Sequence, residues 1–283
     1  MLRFTIGMET IIVASFTEEE TETYYDGQDT IYRQVWDEDG KVHWGVFDDK
    51  SGDDFFKAGL NHDQQMVERG RIQKESTVLD IGTGNGSVAF WLAKEAECHV
   101  TGIDLSGVRI GNAQEALREQ PEELQARLAF EKASATELPF DSESFSHVWS
   151  QATIYHVHEQ KKSLEEAHRV LEDGGIFVFD DLFKPSPNIS PEAQEHVYER
   201  LFFDTEYNFV SYQQELLDLG FEILEAHNLS EHLGTSYEVL AQKADAVEGE
   251  DTDVLQELSF SYKETAKAVE RGEVGWAMFI CRK

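Results

Sequence analysis

The chain has little of what holds small secreted proteins together or anchors proteins in membranes. Two cysteines in 283 residues, Cys98 and Cys281, are too few for a disulfide framework and fit a reducing cytoplasm. No run of about 18 apolar residues occurs, so no segment reads as membrane-spanning. The apolar stretch Ile11–Phe16 is short, and Gly7 and Glu9 precede it, unlike a cleaved leader. Basic residues are scarce: 24 lysines and arginines face 56 aspartates and glutamates, a formal net charge of −32. Nucleic acids and anionic membranes both demand a basic face, so neither is expected as a partner. The histidines are scattered and no cysteine–histidine cluster exists, so no metal is indicated.

What is present suffices for a sizeable core. With 40% hydrophobic and 11% aromatic residues, the length allows one domain with an elaboration, or two small domains. The acidic excess reads as a solvated surface. More sharply, it reads as adaptation to high salt, where screening removes the self-repulsion of surplus charge.

Three textures follow one another. Residues 1–70 are aromatic and irregular, with short helices expected between turn clusters such as Asp37-Glu38-Asp39-Gly40. From Thr77, short apolar runs alternate with helical patterns. Strands are predicted over Thr77–Ile81, His99–Ile103, Leu128–Glu131, Phe145–Trp149 and Ile176–Phe179. Helices are predicted over Ser87–Lys94, Val108–Glu119 and Lys162–Leu171, the last broken by Gly174-Gly175. This alternation means βαβ units and a mostly parallel sheet. Beyond Lys184, Pro185, Pro187 and Pro191 mark a loop. Helices over Glu192–Phe203 and Ser211–Leu219, a strand over Phe221–Ala226 and a long charged helical stretch, Thr235–Glu270, then lead to a last strand, Gly275–Arg282. The long stretch is expected to break near Glu248-Gly249-Glu250-Asp251.

The segment Val78-Leu79-Asp80-Ile81-Gly82-Thr83-Gly84-Asn85-Gly86 is the most informative. A strand enters a glycine-rich turn and then a helix, the place where nucleotide-like ligands sit in open parallel sheets. Asp104 ends the second strand, 22 residues after Gly82, where an acid can hydrogen-bond both ribose hydroxyls of an adenosine. A dinucleotide site wants Gly-x-Gly-x-x-Gly or Ala. Here Ser87 holds the final position and no phosphate-loop lysine is present. The pattern instead fits an adenosine ligand without phosphates, its amino-acid end over the loop.

At this point the sequence resembles the class I S-adenosylmethionine-dependent methyltransferases. Val78–Gly86 matches their first motif and Thr101-Gly102-Ile103-Asp104-Leu105-Ser106 their second. Ser134–Phe140, Phe145–Gln151 and Arg169–Gly175 match three later ones in order. The resemblance implies a Rossmann-like, doubly wound α/β fold: a mostly parallel seven-stranded sheet with an antiparallel last strand, plus a helical N-terminal segment and a lid. It implies boundaries at 1–70 for an N-terminal cap, 71–184 for the cofactor-binding core, and 185–283 for a substrate lid and C-terminal strands. It implies S-adenosylmethionine as cofactor, leaving as S-adenosylhomocysteine. Gly82, Gly84 and Gly86 would lie against the methionine part, with Asp80 and Thr83 of the same motif among the cofactor contacts. Asp104 would hold the ribose, and Leu105 and Ala135 would pack on adenine beside Ser134. The Ser150 carbonyl would take the methionine ammonium, with Gln151 next to it.

The resemblance extends to sarcosine and dimethylglycine N-methyltransferases. It is carried by Tyr24-Tyr25-Asp26 through Tyr32-Arg33-Gln34-Val35-Trp36, by His43-Trp44-Gly45, by Trp149-Ser150-Gln151 with His156, and by Ser236-Tyr237 and Gly275-Trp276-Ala277-Met278. In those relatives the N-terminal segment closes over the cofactor, which places Tyr25 and Tyr32 there. Several pocket positions depart from the family. Ala152 stands where an acid is usual, and Asp180-Asp181-Leu182-Phe183 replaces Thr-Asp-Pro-Met.

Methyl transfer from a sulfonium requires mainly that the nucleophile be positioned and water excluded. A tertiary amine needs no base, whereas a hydroxyl or protonated amine does. His156 is the candidate base. Tyr25, Tyr32, Trp44, Tyr155 and Tyr237 are candidates to wall a cationic site, because ring faces attract a methylated ammonium. Arg33 and Lys184 are the candidate cations for a substrate carboxylate. The expected partner is a small-molecule acceptor, met by a monomer or homodimer. Sarcosine or dimethylglycine is the leading acceptor. The alternative is O-, S- or C-methylation of a natural product, quinone or sterol. A cofactor-binding protein without catalysis and a nicotinamide dehydrogenase are the readings from other classes.

Overall fold

The computed structural model describes residues 43–203, 205, 207–247 and 252–283, together with Thr17, Glu20, Thr23, Val35 and Trp36. The expectations for Tyr25, Tyr32 and Arg33, and for the break at 248–251, lie outside these residues. Seven strands form one sheet: β1 (Thr77–Ile81), β2 (His99–Asp104), β3 (Leu128–Lys132), β4 (Phe145–Gln151), β5 (Leu171–Phe183), β6 (Glu222–Asn228) and β7 (Gly275–Arg282). Their order is β3-β2-β1-β4-β5-β7-β6. The first five run parallel, and β7 lies antiparallel between β5 and β6. This is the expected mostly parallel sheet.

Four of the β1 residues and six of the β4 residues are buried, as a strand covered on both faces requires. Phe177, Phe179, Phe279 and Tyr212 fill one side, with Phe177 stacked on Phe179 at 4.2 Å between ring centroids. On the other side lie α1 (Phe55–Gly70) and the indoles of Trp149 and Trp276, both fully buried. The remaining long helices are α2 (Ser87–Glu95), α3 (Gly107–Arg118), α4 (Gln160–Val170), α5 (Phe209–Asp218), α6 (Ser230–Ala246) and α7 (Thr252–Glu270).

Two expectations need correction. The region before residue 70 holds a regular 16-residue helix, α1, rather than only short ones. Its start is set by Asp54, whose carboxylate accepts from the Lys57 amide at 3.1 Å. The fifth strand begins at Leu171, before Gly174-Gly175. Phe145 pairs with Leu171 but His147 with Ile176, so the glycines sit in a wide bulge, with Gly174 at φ +78°.

The strand order reverses at β1, between β2 and β4, so a crevice opens beyond the C-terminal ends of these strands. Among the described residues, no helix is long and apolar enough to cross a membrane.

Candidate active site

The loop after β1 hangs from β2. The Gly82 and Thr83 amides both donate to the Ile103 carbonyl at 2.8 Å, and the Gly86 amide closes the turn on the Thr83 carbonyl at 2.9 Å. Gly82, Gly84 and Gly86 all have positive φ, +79°, +57° and +85°, where a side chain is strained. A Cβ on Gly86 would sit 2.9 Å from the Phe130 ring. A Cβ on Gly84 would instead stand in open space, with only the Arg109 guanidinium within 4 Å. Gly84 therefore gives a ligand direct access to backbone.

Asp104 joins the loop to the crevice. Its carboxylate accepts from the Gly84 amide at 2.9 Å and the Ser106 amide at 2.8 Å. Ser106 in turn caps α3 by accepting from the Arg109 amide at 3.1 Å, which sets Arg109 in the first turn, against the crevice. Asp80 lies behind the loop and braces it, accepting from the Thr83 hydroxyl at 2.6 Å. Burial pushes the Asp80 carboxyl up to about 7, the Thr83 hydroxyl pulls it down, and Asp104 and Asp63 push the same way as burial.

The crevice has about 1260 Å³ of atom-free space, counting its open mouth. From the loop after β1 and the C-terminal ends of β2 and β3 come Gly82, Thr83, Gly84, Asp104, Leu105, Ser134 and Ala135. From the end of β4 and the segment after it, from α6, and from the chain before α1 and after β5 come Gln151, Tyr155, His156, Tyr237, Trp36, His43, Trp44 and Arg200.

 Of the nineteen residues singled out from sequence, twelve line this one cavity: Gly82, Thr83, Gly84, Asp104, Leu105, Ser134, Ala135, Gln151, Trp44, Tyr155, His156 and Tyr237. Tyr25, Tyr32 and Arg33 fall outside the described residues, and Asp80, Gly86, Ser150 and Lys184 are not part of the lining.

Those four have other places. Asp80 and Gly86 shape the loop from behind. The Ser150 hydroxyl is buried and donates to the Ile81 carbonyl at 3.1 Å, tying β4 to β1. Lys184 turns away from the cavity, its ammonium 5.3 Å from the centre of the Tyr198 ring. The cations that do line the cavity are Arg109 and Arg200, and sequence reasoning missed both. Arg200 is anchored through Nε on the His196 carbonyl at 2.8 Å and Nη2 on the Thr265 hydroxyl at 3.2 Å.

The segment after β4 is held from below by two adjacent aspartates of β5. Asp180 accepts from the Ala152 amide at 3.2 Å and the Trp276 indole at 2.9 Å, and lies 2.8 Å from His62 Nε2. Asp181 accepts from the Tyr155 amide at 3.0 Å and the Tyr212 hydroxyl at 2.9 Å. The Gln151 side chain is fixed between Asp63, at 3.1 Å, and the Trp149 indole, at 3.1 Å. The departures from the family pattern at 180–183 are thus the residues that shape this wall.

His156, the candidate base, lies in a buried environment. Burial pushes its pKa down to about 3, and the nearby Arg109 charge acts the same way against hydrogen bonds to the Phe202 and Leu201 backbone. The ring is thus held in its neutral form, and its protonated form is disfavoured. The linkage has a definite sign. A histidine whose folded pKa lies below its unfolded value of about 6.5 stabilises the fold above that pH and loses this contribution as pH falls toward 3. The stability gap between the native chain and His156→Gln should therefore narrow by about 2 kcal/mol between pH 7.5 and pH 5. Urea titrations at the two pH values measure it, and a constant gap would show that the ring is not held neutral.

Comparison with known proteins matches this architecture. Residues 79–179 match the family model described as a methyltransferase domain. The chain is 30% identical over 217 residues to (+)-O-methylkolavelool synthase of Herpetosiphon aurantiacus, covering 75% of this chain and 73% of that protein. It is 26% identical over 278 residues to sarcosine/dimethylglycine N-methyltransferase of Aphanothece halophytica, covering 95% and 99%. The cyclopropane synthase MmaA2 of Mycobacterium tuberculosis has the same fold, with a TM-score of 0.82 at 15% identity over 96% of this chain and 100% of that one. A glycine cradle open to a ligand at Gly84, an acid closing it from β2, and relatives of this kind lead to one conclusion: the chain belongs to the S-adenosylmethionine-dependent methyltransferases and acts on a small molecule.

Proposed function

We propose that the chain moves the methyl group of S-adenosylmethionine to the nitrogen of a small amino acid of the sarcosine or dimethylglycine type. The observation that carries this reading is the composition of the acceptor end. Aromatic rings from Trp36, Trp44, Tyr155 and Tyr237 surround it, two guanidinium groups border the cavity, and among its described lining residues the only carboxylate is Asp104, at the cofactor end. Positive charge favours the uncharged form of an amine, the form that attacks a sulfonium without a base. The ring faces then suit the methylated ammonium that forms. The lowered pKa of His156 makes its ring a weak proton acceptor, which agrees with a nucleophile that needs no proton removed.

In this reading Gly82, Thr83 and Gly84 bear the methionine part of the cofactor, Asp104 the ribose, and Leu105, Ser134 and Ala135 the adenine. Asp80, Gly86 and Ser150 shape the cradle without touching the cofactor through their side chains. Residues 185–283 supply Arg200 and Tyr237, and so serve as the acceptor-side cover. When bound, the cofactor supplies an already activated methyl, and the chain's own task is to orient the amine and exclude water.

A second reading is methylation of a natural-product oxygen, favoured by the similarity to (+)-O-methylkolavelool synthase and by the apolar rings of the wall. Transfer of isotope label from the cofactor decides between them. Label in sarcosine or dimethylglycine, and none in terpenoid alcohols or phenols, is the expected result. Label confined to the alcohols or phenols would replace the first reading with the second.

A further inference from the structure

Among the described residues, the acceptor wall holds two buried donors, on Trp44 and Tyr237, that lack a hydrogen-bond partner. Trp44 is 3% exposed and Tyr237 is 1% exposed, and neither the Trp44 indole Nε1 nor the Tyr237 hydroxyl meets a partner. Their rings lie 6.2 Å apart between centroids, and both residues line the cavity. Buried donors are ordinarily paired, and an orphan is costly. An indole N–H can only donate, so whatever satisfies it must be an acceptor. The Arg200 guanidinium packs over the same Tyr237 ring, 5.7 Å from its centre, with Tyr262 on it at 5.2 Å. Two unsatisfied donors beside a fixed guanidinium describe a receptor for an anion with more than one oxygen.

We infer that Trp44, Tyr237 and Arg200 receive a carboxylate of the methyl acceptor, and so select acids over their neutral counterparts. This rests on reading the cavity as the acceptor site, but not on the acceptor atom being nitrogen. The carboxylate would accept from the indole N–H and the phenol O–H and lie against the guanidinium. The rest of the acceptor would then extend toward the loop that carries Gly84. A matching neutral amide cannot supply the charge, and it presents only one oxygen.

The test compares acids with their amides on protein loaded with S-adenosylhomocysteine. Calorimetry would measure N,N-dimethylglycine against its amide, and 4-hydroxybenzoate against 4-hydroxybenzamide. At least one acid should bind about tenfold or more tightly than its amide. Tyr237→Phe and Trp44→Phe should each reduce that preference severalfold. Neither change breaks an internal hydrogen bond, so the melting temperature of the unliganded protein should not fall with Tyr237→Phe. A purely structural role would give the opposite pattern, with lost stability and intact preference. A preference confined to the phenolic pair would sustain this inference while removing the amine acceptor. Equal binding of acid and amide in both pairs, or a preference that survives in both variants, would overturn it.

Discussion

Gly82→Ala should lower kcat/KM about a hundredfold or more, although it adds one methyl group. The added Cβ would overlap the Thr153 side chain, whose own Cβ would lie 2.8 Å away. The backbone at Gly82 also has φ +79°, which costs a residue with a side chain about 1 kcal/mol. Thr153 cannot yield alone, because its hydroxyl donates to the Gln151 carbonyl at 2.8 Å and it precedes the turn bearing Tyr155 and His156. The cofactor loop and the acceptor wall are therefore in direct steric contact at this point. A displacement of about 1 Å in such a segment can cost two orders of magnitude in rate. The double variant Gly82→Ala/Thr153→Gly should recover much of the loss, since the obstructing atoms are gone and only the backbone strain remains. Steady-state kinetics on the two variants, with calorimetry of S-adenosylhomocysteine, measures the effect. Near-native activity in the single variant would mean that the two segments are not coupled.

The parts of the site legible in sequence are those whose geometry is local. Gly82 to Gly86 and Asp104 sit at the ends of neighbouring strands, and β1 and β2 announce themselves by short apolar runs. Chain direction at a strand end then fixes where these residues lie. Lys184 shows the limit of that reasoning. It follows β5 at a promising position, but the chain turns so that its amide donates to the Tyr207 carbonyl and its ammonium meets Tyr198. Arg200 carried no local signal, because its place depends on a π-helical segment, Gln194–Glu199, and on contacts with His196 and Thr265. Arg109 did have a signal in the Ser106 cap three residues before it, which fixes the first turn of α3. Burial is the quantity that sequence conveys least. It pushes the His156 pKa down, against hydrogen bonds to the backbone of residues 201 and 202, remote in the chain.

Asp181→Leu should destabilise the fold by about 3 kcal/mol or more and disorder the acceptor wall, while Asp181→Asn should do neither. The leucine would leave the Tyr155 amide and the Tyr212 hydroxyl buried without an acceptor, each costing about 1–3 kcal/mol. Asparagine keeps an oxygen for the amide and offers its NH2 group to the hydroxyl. Charge makes the comparison sharper. Burial raises the Asp181 carboxyl well above its ordinary value, hydrogen bonds from Tyr155, Tyr212 and the Leu182 backbone pull it down, and Asp180 beside it pushes it up. An acid raised in the fold contributes stability below its unfolded pKa of about 3.9 and loses it as pH rises through the folded value. Asparagine has no such loss, so Asp181→Asn should gain on the native chain as pH rises from 5 to 8. Denaturation midpoints of the three proteins across that range, read beside the KM for the acceptor, test both claims. If asparagine is as damaging as leucine at pH 8, the carboxylate charge itself is required and the wall is held by electrostatics rather than by hydrogen-bond geometry.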